Sequence, residues 1–182
     1  CVKFTNVYGV PGGGALKDLQ AKNDDDPNLR QRCILLCMDF MSYRLGHSVQ
    51  SDIIFGSNLG DISTYCSSKY FVLHEQAHPN HAINCIRVTN SLSLDMKTVM
   101  VVTGGEDGFV KIWDASMQLK QQIDMKQAVS VKDLKNIKSY GIQSLDVFPC
   151  DRQNPQSTAS VKILTGMRSG DVNECIVDFN RN

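Results

Sequence analysis

The chain has 182 residues, nineteen basic and nineteen acidic side chains that cancel, and an ordinary apolar share of 42%. That length suffices for one sizeable core. The balanced charge gives no electrostatic warrant for nucleic acid or an anionic membrane surface, no apolar run reaches the roughly 18–20 residues a membrane helix needs, and no signal peptide is visible.

Cys1-Val-Lys-Phe-Thr5 opens directly into a β-prone run, so the sequence reads as an internal piece of a larger protein. Residues 1–7 are expected to be the last strand of a preceding unit. Residues 8–31 carry Val10-Pro-Gly-Gly-Gly14 and Asp24-Asp-Asp-Pro27 and read as an exposed linker loop, with room for a helical turn or two over Ala15–Ala21. Gly12-Gly13-Gly14 lacks the Gly-Lys-Ser/Thr ending of a phosphate cradle. The three aspartates are followed by no ligand set resembling a calcium loop.

Residues 32–75 hold four short β-prone runs: Cys33–Phe40, Ser51–Gly56, Asp61–Cys66 and Tyr70–Leu73. Tyr43–Gln50 is polar and reads as a turn. The same cadence returns over residues 76–125, with runs at Ala82–Val88, Val99–Thr103, Phe109–Asp114 and Lys120–Met125. Residues 126–182 make a partial third pass. A Lys-rich, weakly helical connection over Lys126–Tyr140 precedes runs at Ile142–Phe148, Val161–Thr165 and Asp171–Val177, and a polar loop covers Pro149–Ser160.

The clearest hairpin lies in the second unit. Gly104-Gly-Glu-Asp-Gly108 separates Val101-Val-Thr103 from Phe109-Val-Lys-Ile-Trp-Asp114. Asp107-Gly108 suits a turn because both tolerate left-handed backbone. Aligned on this hairpin, Ile54–Tyr65, Val102–Trp113 and Leu164–Cys175 share one pattern: a β-run, Gly, three residues, Gly, a β-run. The step is about 48 residues and then about 62, the longer one accommodating the two inserts. Four short strands per unit at such a period indicate an all-β fold, a β-propeller of WD-repeat type, with about three blades of a larger ring.

In WD-repeat blades a His, a Ser or Thr, an Asp and a Trp form one hydrogen-bonded set. Here the candidates are His78, Thr103, Asp107 and Trp113, with His81 competing for the histidine position. Their role is structural, since a buried indole N–H needs a partner and a satisfied network fixes one geometry. The same residue types can build a hydrolase triad, but Thr103 lies within a strand and no Gly-x-Ser-x-Gly elbow exists. The other units have lost the set. Tyr65 and Cys175 stand where the second has Trp113, and Leu59 and Ser169 stand where it has Asp107.

The seven cysteines are odd in number and include no Cys-x-x-Cys. Most lie in β-prone runs, where a thiol serves as a small apolar core residue. Cys33 and Cys37 would share a strand face, but no second ligand pair stands nearby, so no metal or other cofactor is expected. Free buried thiols fit a reducing compartment.

The order of features resembles the echinoderm-microtubule-associated-protein-like family of tandem atypical propellers. Cys1-Val-Lys-Phe4 is similar to that family's strand ending in Lys-Phe-Trp, with Thr5 in place of the Trp, and a Gly-rich linker follows in both. Phe55-Gly-Ser-Asn-Leu-Gly-Asp-Ile62, Gln76-Ala-His78, Gly104–Gly108 with Ile112-Trp-Asp114, and Ile163–Val172 resemble further family segments. The resemblance implies a non-enzymatic scaffold associated with tubulin or microtubules, in the cytoplasm and cytoskeleton or in a ciliary or flagellar axoneme. Neither nucleic acid nor membrane is implied as a partner, and the remaining blades of the same chain are. The alternative is a generic WD-repeat subunit of another complex, in ciliary transport, trafficking or RNA processing. Candidate partner-binding residues are the turn-adjacent Glu106, Lys111 and Arg168, and the lysines of the 126–140 insert, Lys132, Lys135 and Lys138 with Lys126, since long loops on rigid scaffolds often carry function.

Overall fold

Along Met100–Gly105 both sides of the strand are buried, so this segment lies inside a stack rather than on a surface. Val101 and Thr103 point to one side and Val102 and Gly104 to the other, as the twofold repeat of a strand requires. The computed structural model describes residues 34–45, 47–66, 71–74, 76–89, 99–128, 140–150 and 160–178. All lie within one compact unit, Cys33–Asn182. The expected strand over residues 1–7 and linker over 8–31 lie outside the described residues.

Three antiparallel sheets are present among the described residues. The first contains β1 (Leu35–Leu45), β2 (Ser48–Ser57), β3 (Ile62–Cys66) and β4 (Phe71–His74), each paired with the next. The second contains β5 (Ile83–Thr89), β6 (Met100–Gly105), β7 (Phe109–Asp114) and β8 (Leu119–Asp124) in the same order. The third has β9 (Ile142–Pro149), β10 (Ser160–Met167) and β11 (Val172–Asp178). These are consecutive blades of a β-propeller, and three of them do not close a ring.

Successive blades meet through their faces. Met41, Tyr43, Ile54 and Ile62 of the first blade pack with Ile83, Ile86, Val101 and Trp113 of the second. On its other face the second blade packs Val102, Val110 and Ile112 against Ile142, Leu145 and Ile163 of the third. The first strands of neighbouring blades are also stitched directly. Asp39 accepts from the Val88 amide at 2.8 Å, and Asn84 Nδ2 donates to the Ile142 carbonyl at 2.8 Å. The face of the first blade turned away from the second exposes Leu36, Met38 and Phe40 by 46, 57 and 50%.

The repeat is written in backbone bonds. The amides of Asn58, Glu106 and Arg168 donate to the carbonyls of Ile34, Ala82 and Gly141, at 3.0, 2.8 and 2.8 Å. Each bond ties the second-strand turn of a blade to the residue before or near its first strand. The second glycine of the shared pattern adopts positive φ in all three blades: 86° at Gly60, 79° at Gly108 and 90° at Gly170. The first glycine serves another need. A Cβ on Gly104 would lie 2.7 Å from both Cys85 Sγ and Ile142 Cγ2, so the next blade's first strand passes too close for a side chain.

One expected turn is a strand. Tyr43–Gln50 is not a polar turn: β1 and β2 run on as a ribbon whose register reaches Leu45 against Ser48. Cross-strand polar pairs hold it, with Ser42 and Ser51 hydroxyls 3.0 Å apart and the Tyr43 hydroxyl donating to Asp52 at 2.8 Å. Polarity along a segment signals exposure, and an exposed ribbon is as polar as a loop. In the insert after β8, Met125–Ala128 form one 3-10 turn.

The two glycine roles separate by mutation. Gly104→Ala is expected to cost about 1–3 kcal/mol through overpacking. Gly170→Ala, with nothing within 4 Å of the added methyl, is expected to cost only the strain of positive φ, about 1 kcal/mol. Urea denaturation of the two variants measures both, and equal midpoints would contradict the assignment.

Candidate functional site

The buried polar centre of the molecule is built by a turn, two strands and the segment before β5. The turn closes by a bond from Gly108 N–H to Gly105 C=O at 3.2 Å, and Asp107 reaches forward to accept from the Phe109 amide at 3.1 Å. This fixes the Asp107 carboxylate over the end of the sheet. Thr103 on β6 and Trp113 on β7 present their side chains on the face turned to the first blade. His78 arrives from the inter-blade segment, anchored by its amide on the Gly60 carbonyl at 2.9 Å.

The structure brings His78, Thr103, Asp107 and Trp113 together. His78 Nδ1 lies 2.9 Å from both carboxylate oxygens of Asp107, and its Nε2 lies 2.8 Å from Thr103 Oγ1. The indole N–H of Trp113 donates to the same hydroxyl at 3.1 Å. A carboxylate only accepts, so Nδ1 carries the proton. In the neutral ring Nε2 then accepts from the Thr103 hydroxyl, whose oxygen accepts from the indole. The sense of donation runs one way, from Trp113 through Thr103 and His78 to Asp107. His78 and Thr103 are completely buried. Burial by itself pushes the Asp107 carboxyl up, but the hydrogen bond and charge of His78, the Phe109 amide and the Lys111 ammonium hold it below the usual carboxylate value of 3.8. His81 takes no part, and its Nδ1–H donates to the Pro79 carbonyl at 2.7 Å.

Chemically this is a closed set. Thr103 Oγ1 is shared between the imidazole and the indole and sits in a strand interior, so it offers no nucleophile to solvent. The other turn residues singled out from sequence behave differently from one another. Glu106 and Arg168 face each other as an ion pair at 2.8 Å, linking the second and third blades at their turns. Lys111 is buried, with 7% of its surface exposed, and its ammonium donates to the Ala77 carbonyl. Burial lowers its pKa from 10.5, and Asp107 opposes that shift. Lys126 is partly buried, its Nζ 4.4 Å from the centre of the Phe109 ring. Lys132, Lys135 and Lys138 lie outside the described residues.

Cys37, Cys85, Cys150 and Cys175 are free thiols, Cys85 buried and the others partly buried. Burial pushes the Cys37 thiol up to about 11 and the Cys85 thiol up to about 12. Both occupy the same position in successive blades, beside the close-approach glycines Gly56 and Gly104. No group of three or more metal-ligating side chains occurs among the described residues.

No family model and no curated protein matches the chain. Among solved structures it is similar to a chain of the Chaetomium thermophilum Polycomb Repressive Complex 2 bound to GSK126, at 11% identity and a TM-score of 0.49, over 79% of this chain and 29% of that one. It is also similar to a chain in the crystal structure of BBS1N in complex with ARL6DN, at 10% identity and a TM-score of 0.34, over 78% of this chain and 48% of that one. The chain thus spans less than half of each, and likenesses of this depth say nothing about activity.

Two measurements probe the buried set. Thr103→Val keeps the shape but leaves the indole and imidazole without their shared partner, an expected loss of about 2–3 kcal/mol; an unchanged urea midpoint would contradict it. Asp107→Asn tests the charge. Because the folded-state pKa lies below the unfolded value of about 3.9, the carboxylate's contribution is present above that value and is lost as pH falls through the folded one. The variant should therefore be less stable than the parent at pH 7, with a gap that narrows below about pH 4; a gap of constant size down to pH 2 would overturn this.

Proposed function

We propose that the protein is a non-enzymatic WD-repeat scaffold that binds other proteins, and that it associates with tubulin or microtubules in the manner of the echinoderm-microtubule-associated-protein-like family. The observation that carries the scaffold reading is the closed hydrogen-bond set at Thr103. A His, an Asp and a hydroxyl that could serve catalysis are here spent on one another and on an indole inside a blade. What supports the finer reading is the order of segments from Phe55–Ile62 through Gln76–His78 to Gly104–Asp114 and Ile163–Val172 along the sequence. Cytoplasm, cytoskeleton and the ciliary or flagellar axoneme follow from that reading as places to look.

Co-sedimentation tests it. The complete protein is expected to pellet with stabilised microtubules in a saturable manner at physiological salt, and to stay in the supernatant when tubulin is omitted. Retention in the supernatant at high tubulin would transfer the proposal to the alternative, a subunit of another multiprotein complex.

A further inference from the structure

A cleft of about 360 Å³ opens beside the buried set, on the outer half of the second blade. Its walls come from β7, β8 and the segments that flank the blade. Phe109 and Lys111 stand two apart on β7, Gln122 faces Lys111 across the ladder from β8, and His81 and Lys126 come from the segments before β5 and after β8. At this size it falls at the small end of ligand pockets, roughly 300–1,000 Å³.

The charges in this cleft are unequally satisfied. Asp107 borders it, but both of its oxygens are engaged by His78 and one also by the Phe109 amide. Lys111 is more than nine-tenths buried, yet no carboxylate lies within salt-bridge distance of it among the described residues. Its hydrogen-bond partner there is one carbonyl, Ala77, and an ammonium has three N–H donors. Asp107 offsets part of the Lys111 charge at longer range, but a buried ammonium with one direct acceptor is a costly arrangement that an incoming anion relieves. Lys126, over the Phe109 ring, adds a second cation at the rim, and the Gln122 amide adds a neutral donor. Two lysines against one engaged aspartate leave a surplus of one positive charge. That balance suits a monoanion better than a dianion.

We propose that this cleft binds a carboxylate side chain of an acidic peptide segment on a partner protein, with Lys111 at its floor and Lys126 at its rim. The carboxylate accepts from both ammonium groups and from Gln122, and its methylene stem lies along Phe109. The proposal stands without the microtubule reading, because it names a chemistry that many partner surfaces carry.

The test is fluorescence anisotropy with a dye-labelled, end-blocked hexaglutamate peptide. It is expected to bind the chain, more weakly as salt rises, while the matching hexaglutamine peptide does not. Lys126→Gln and Lys111→Met should each weaken binding at least fivefold. Lys162→Gln, which breaks an exposed ion pair with Glu174 in the third blade, outside the cleft, should leave it unchanged. Should Lys111→Met fail to fold by circular dichroism, Lys126→Gln decides alone, since its side chain is only partly buried. Equal binding of hexaglutamine, an equal loss in Lys162→Gln, or unaltered affinity in Lys126→Gln and Lys111→Met would overturn the site. Displacement of the peptide by inorganic phosphate well below the effect of chloride at equal ionic strength would overturn the carboxylate assignment.

Discussion

One hydroxyl governs the centre of this structure. Thr103 Oγ1 is the point where β6, β7 and the segment before β5 are tied together, through Trp113 and His78. It lies fully buried, so each group that meets it has given up water and has nowhere else to turn. Because an indole only donates and a carboxylate only accepts, the set is satisfied in one sense of donation without a spare group. That closure is what orients His78, and His78 in turn positions a segment that also bonds the first blade at Gly60. A local side-chain network thereby fixes how two blades meet.

The blades without the set show what remains when it is lost. In the third blade Thr165 is as deeply buried as Thr103, and its hydroxyl meets the Asn173 carbonyl at 3.5 Å, just as Thr103 also meets that of Lys111 at 3.5 Å. The strand position is kept, but Cys175 brings no indole to it and Ser169 no carboxylate of its own. Ser169 instead bonds Asp171, within its own turn. In the first blade Ser57 caps the turn by accepting from the Leu59 and Asp61 amides. Each turn is thus stabilised locally, and in the second blade the turn carboxylate also reaches across to the segment before its first strand. Shared backbone bonds, not shared side chains, make the three units alike.

This explains what could be read from the sequence and what could not. The repeat was legible because its requirements are backbone requirements: a glycine where the next blade passes within contact, and another where φ turns positive. Such demands leave a residue type at a fixed spacing. The four members of the buried set were legible for the same reason, each being restricted by chemistry and strand phase. The choice between His78 and His81 was not, since only Pro79 and Asn80 separate them and only the fold shows which ring faces Asp107. The β1–β2 ribbon was hidden because Ser42, Gln50 and Ser51 give no apolar alternation. The Glu106–Arg168 pair joins residues of different blades, and nothing in either turn alone announces it.

Lys111 carries the argument furthest from sequence. In the sequence it is one polar residue between Val110 and Ile112, singled out as a partner-binding candidate beside the turn. The twofold alternation instead places it on the face of Thr103 and Trp113, where space is bounded by Phe109, Gln122 and the Ala77 carbonyl. Asp107 is the nearest candidate to neutralise it, but that carboxylate is already committed to the imidazole. The buried set that gives the blade its rigidity therefore also keeps Asp107 from a direct ion pair with Lys111, although its charge still acts on the ammonium. The blade obtains a polarised cleft in this way without a flexible loop, because the geometry that leaves the cation without a direct ion pair is enforced by the same hydrogen bonds that hold the fold.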